Sequence, residues 1–81
     1  MRIPKIGDTM YIKDEETGKP ISAEVIEIEI EPEDKMFGGT IVIECQIDGR
    51  NMVATYAISN IDKYIFFNKE DIEGGKIYEN T

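Results

Sequence analysis

An 81-residue chain is one small domain, residues 1–81, near the lower limit of what a single core supports; a chain of this size buries only about 60 to 65% of its extended surface. Its 17 acidic and 9 basic residues give a net charge of −8, a balance that repels phosphates and argues against direct nucleic-acid binding, which draws on clusters of Lys and Arg. The chain has no histidine, the commonest general base and metal ligand, and a single cysteine, Cys45, which excludes an intrachain disulfide.

Hydrophobic residues make up 41% of the chain, with isoleucine and valine prominent, which argues against disorder. No apolar run approaches the ~20 residues of a membrane span, and the N-terminus lacks a signal-peptide core, so the expectation is a cytoplasmic protein with no membrane partner.

Met1 to Pro4 reads as a leader and Ile6-Gly7-Asp8 as a turn into a first strand, Thr9 to Ile12, with Met10 and Ile12 on one face. Lys13 to Pro20 is a polar loop holding Asp14, Glu15 and Glu16, punctuated by Gly18 and Pro20. Ile21 to Ile30 is the longest run that alternates with the period of a strand, and its phase changes partway. Ile21, Ala23 and Val25 share one parity; Ile26, Ile28 and Ile30 hold the other. A bulge or bend near Val25 and Ile26 would reset the parity and direct both sets to one core. Fully burying an isoleucine contributes roughly 1.5 to 3 kcal/mol, so all three later isoleucines are expected inside. Pro32 ends the run.

Glu33 to Gly39 is a second connection, read as flexible at its paired glycines. Thr40 to Ile47 alternates again, with Ile41, Ile43, Cys45 and Ile47 on one face, and leads into Asp48-Gly49, the pair favoured in a two-residue type I′ turn. That turn sets Cys45 opposite Met52, Ile43 opposite Ala54 and Ile41 opposite Tyr56, with Glu44, Val42 and Gln46 facing Val53, Thr55 and Asn51 on the solvent side. Ser59 to Asp62 is a short connection, and Lys63 to Phe67 a fifth strand whose inner face is either Ile65 and Phe67 or Tyr64 and Phe66. Asn68 is a helix N-cap with Glu70 and Asp71 in the first turn; Gly74-Gly75 stops the helix, and residues 76–81 form a flexible tail.

Five short strands with turn signals about every ten residues predict an all-β fold, a small five-stranded SH3-like barrel with a short C-terminal helical turn. An OB-fold fits less well, since it places a longer helix between strands three and four. The segments Ile6-Gly7-Asp8-Thr9-Met10-Tyr11, Asp14-Glu15-Glu16-Thr17-Gly18, Val25-Ile26-Glu27-Ile28 and Ile65-Phe66-Phe67-Asn68-Lys69-Glu70-Asp71 resemble small SH3-like-barrel proteins of phages and mobile elements of Gram-positive bacteria. The resemblance covers about 50 residues of generic turn chemistry, and departs at Lys76 to Thr81, where those proteins continue a helix. It implies a genomic setting and no catalytic residue.

The candidate functional feature is acidic. Glu27, Glu29 and Glu31 form a stripe at intervals of about 6.5 to 7 Å, joined by Glu24, Glu33 and Asp34. Three readings compete: a solvated face that keeps the domain soluble, a face for a protein partner with a basic surface, including mimicry of a nucleic-acid backbone, and a divalent-cation site. The partner reading gains from electrostatic steering, and mimicry would need a second row of charge from Glu44 or from Asp14, Glu15 and Glu16. The cation reading lacks the spacing of an EF-hand loop. The acidic loop beside Tyr11 admits a polyproline-binding groove, without the tryptophan such grooves use. Cys45 falls on the inner face with no histidine to activate it. The sequence therefore calls for no catalytic residue, cofactor or metal, and the function it favours is a non-catalytic acidic interaction module, with phage or mobile-element inhibitors as the model. The alternative is a structural or assembly domain that forms homo-oligomers through apolar edges such as Met36-Phe37 or Tyr64-Phe66.

Overall fold

The computed structural model describes residues 2–30 and 38–72. Pro32, Met36, Phe37, the paired Gly74-Gly75 and the tail 76–81 lie outside the described residues. The elements are β1 (Thr9–Lys13), β2 (Pro20–Ile30), β3 (Gly39–Ile47), β4 (Arg50–Ala57), a 3-10 turn at Ile58–Asn60 and β5 (Ile65–Phe66). They form one antiparallel sheet of order β4-β3-β2-β1-β5. The chain turns helical over 69–72, directly after Asn68. The fold is all-β, and its sheet is open, with β4 and β5 at opposite edges.

The hairpin β3–β4 follows from its turn. Asp48 and Gly49 both take positive φ, 54° and 77°, the type I′ geometry whose twist matches that of the flanking strands. The register is the one the Asp-Gly pair dictates: Cys45 opposite Met52, Ile43 opposite Ala54, Ile41 opposite Tyr56. β2 carries the irregularity expected from its parity. Val25 pairs with Ile43 and Glu27 with Val42, so Ile26 is the extra residue of a bulge. The shift puts Ile28 opposite Ile41 on the same side as Val25 and Ala23, where it packs against the core.

The burial of the later isoleucines departs from expectation. Only Ile28 reaches the core, while Ile26 is 38% and Ile30 50% exposed. Ile26 is spent on the bulge itself, and Ile30 pairs with Gly39, which offers no side chain to cover it. The glycine pair at 38–39 is also not simply a flexible hinge. Gly39 opens β3 at φ 133°, and a Cβ there would run into the carbonyl oxygen of Glu29, so the two backbones meet where only hydrogen fits.

Among the described residues the core cluster comprises Met10, Ile12, Ala23, Val25, Ile41, Ile43, Cys45, Ile58, Ile61 and Ile65. The 3-10 turn contributes Ile58 and leads to Ile61, which bridges to Ile65. β5 is two residues long rather than the five expected. Ile65 is fully buried and Phe67 packs against the core, whereas Tyr64 is 65% exposed, which decides the inner face of this segment. The Arg2 guanidinium lies 4.0 Å over the Phe67 ring and holds the N-terminal segment against that corner by a cation–π contact.

Candidate functional site

Since Met10, Ala23, Val25, Ile28, Ile41, Ile43 and Cys45 point to the core, the alternate residues of β1, β2 and β3 form the outer face of the sheet. On β2 these are Ser22, Glu24, Glu27 and Glu29. The bulge is what unites them: an unbroken ladder would carry Glu27 and Glu29 inward with the parity opposite to Glu24. Glu24, Glu27 and Glu29 are all exposed. Glu44 on β3 sits directly across from Glu24, a like-charge cross-strand pair that costs stability. Neither β2 nor β3 contains a lysine or arginine.

A shallow groove of about 870 Å³ runs beside this pair. Thr9, Ser22, Glu24, Glu44, Gln46 and Asn51 supply its polar lining. The Gln46 Nε2 donates to the Asn51 Oδ1 at 3.1 Å, fixing one end of the groove with two side-chain amides. The arrangement offers carboxylates and amide groups to a cationic or hydrogen-bonding surface. Among the described residues no group of three or more His, Cys, Asp or Glu side chains is arranged to hold a metal ion.

No family model, curated protein or solved structure matches this chain. Of the stripe expected from the sequence, Glu24, Glu27 and Glu29 share one face with Glu44, while Glu31, Glu33 and Asp34 lie outside the described residues. Asp14, Glu15 and Glu16 belong to the loop that joins Lys13 to Pro20, at the start of β2, whereas Glu27 and Glu29 lie towards its end. Asp14 is engaged in its own loop, where its Oδ1 accepts from the Glu16 amide at 2.9 Å and its backbone carbonyl accepts from the Gly18 amide at 2.7 Å. It shapes the turn, so the second row of charge comes from Glu44.

Tyr56 on β4 is pushed above the ordinary tyrosine value, first by burial, then by the nearby Cys45 and Glu15. Burial and the adjacent Glu44 likewise push the Cys45 thiol up, which suppresses its thiolate. Among the described residues, no helix is long and apolar enough to cross a membrane. Sequence reasoning passed over Thr9 and Ser22 as parts of the groove. Their parity, opposite to Met10 and Ala23, was the available signal.

Proposed function

We propose that this protein is a non-catalytic acidic interaction module that engages a basic surface of a protein partner through the outer face of β2 and β3. The observation that carries the reading is the bulge at Ile26, which gathers Glu24, Glu27 and Glu29 on one side, beside Glu44. Such a like-charge pair as Glu24 and Glu44 is relieved when a Lys or Arg side chain enters between them, so partner binding offsets a cost the free sheet carries. The net charge of −8 adds long-range steering toward a cationic partner and disfavours nucleic acid. The order β4-β3-β2-β1-β5, the bulged β2 and the 3-10 turn before β5 support an SH3-like arrangement for the module, and an inhibitor or accessory factor of a mobile element is the setting that fits its sequence resemblance.

The test is a titration with arginine- and lysine-rich peptides, followed by amide chemical shifts. Shifts centred on Glu24, Glu27, Glu29 and Glu44, reduced by salt at about 0.5 M and lost in a Glu24→Gln, Glu27→Gln, Glu29→Gln variant that stays folded, are expected. Shifts spread equally over Asp62, Glu70 and Asp71 would reduce the face to a solubilising surface.

A further inference from the structure

β4 is an edge strand of eight residues, and among the described residues its one strand neighbour is β3. A two-residue hairpin begins with a hydrogen-bonded pair, here Ile47 and Arg50, and hydrogen-bonded pairs then recur at every second position. Met52, Ala54 and Tyr56 therefore turn their backbone groups to β3. Asn51, Val53, Thr55 and Ala57 turn theirs outward. Edges of this length are ordinarily blunted by proline, a bulge or inward-pointing charge, and β4 has none of these; its single charge, Arg50, stands at one end.

The sequence of β4 is close to palindromic about Ala54. Val53 and Thr55, of nearly the same shape, flank it, and the large apolar Met52 and Tyr56 lie beyond. An isologous contact requires this: residue i of one copy must suit residue j of the other, and j must suit i. We infer that two copies of this chain pair β4 against β4 antiparallel about a two-fold axis at Ala54. In that register Val53 meets Thr55 of the second copy, and all four outward-facing residues find partners. Met52, 46% exposed in the single chain, is covered by Tyr56 of the other copy, and Val53, 59% exposed, by Thr55. Ala54 faces its own counterpart in a pair without hydrogen bonds, where strands approach most closely, at about 4.5 Å between Cα atoms, and a small side chain fits.

Charge does not forbid a second copy at this edge: two molecules of net charge −8 repel, yet β4 contains no Asp or Glu, so the approach is made along an acid-free strand. The product is one continuous ten-stranded sheet that carries both acidic outer faces on the same side.

The experiment is sedimentation equilibrium from about 5 µM to about 0.5 mM, a range that spans weak association, together with amide hydrogen exchange. A concentration-dependent doubling of mass is expected, with the amides of Asn51, Val53 and Thr55 becoming as protected as those of Met52, Ala54 and Tyr56. Thr55→Pro removes an outward N–H and leaves the hairpin ladder to β3 intact; Val53→Lys keeps every backbone group and adds charge. Each should return the protein to single-chain mass, with folding confirmed by circular dichroism. A wild type that stays at single-chain mass throughout, a doubled mass that both variants retain, or growth beyond two copies would each overturn the inference.

Discussion

Gly39 is where a single side chain decides the most. The first residue of β3 touches the backbone of Glu29 and Ile30, in a conformation that L side chains rarely adopt. Gly39→Ala combines strain of order 1 to 3 kcal/mol with a clash against main chain that cannot step aside. Urea denaturation should show at least that loss, from a domain of about 5 to 15 kcal/mol. Tyr56 gives a second residue-level test. Its raised ionisation means that the folded form keeps the phenolic proton when the unfolded chain has lost it. Its stabilising contribution is therefore whole below the unfolded value near 10.0 and lost as pH climbs through the higher folded value. Thermal melts from pH 8 to 11 should fall less steeply for Tyr56→Phe than for the wild type; equal slopes would contradict the assigned burial.

For the elements, the bulge in β2 makes three isoleucines of identical spacing unequal. Ile28→Ala should cost about 1 to 2 kcal/mol, since it packs on the core, whereas Ile26→Ala and Ile30→Ala should stay within about 0.5 kcal/mol. Three similar losses would refute the register shift. The bulge was legible in the sequence because a change of parity has few other remedies, and the β3–β4 register because Asp48-Gly49 admits one turn. The unequal depth of the three isoleucines was not legible. Exposure depends on what a distant segment lays over a strand, and Ile30 is left open because its partner happens to be Gly39. The same limit applies to the site. Local alternation assigned Glu24, Glu27, Glu29 and Glu44 to the outer face, but the facing of Glu24 and Glu44 depends on the pairing of β2 with β3, a long-range contact no local pattern encodes.

Across the whole molecule, acidity opposes compactness. Glu44→Gln, by relieving the pair with Glu24, should raise stability by about 0.2 to 1 kcal/mol in dilute buffer, and the gain should shrink as salt rises to about 0.5 M. The same variant should bind cationic peptides more weakly, the exchange of stability for activity expected where a strained feature serves binding. A Glu44→Gln protein no more stable than the wild type at low salt would show that the two carboxylates do not sense each other.

The last strand has a kinetic consequence. β5 joins Tyr11 and Ile12 to Phe66 and Ile65, closing a loop that spans most of the chain, at an entropic cost of about 2 to 3 kcal/mol beyond that of a hairpin loop. Two rungs of backbone hydrogen bonding, at about 1 kcal/mol each, at best offset that, so the strand is held by the burial of Ile65. The domain is thus a zipper with a clasp. It assembles outward from the local β3–β4 hairpin and fastens its two ends late, and under stress the clasp releases first, which faster amide exchange at Ile65 than at Ile43 would register.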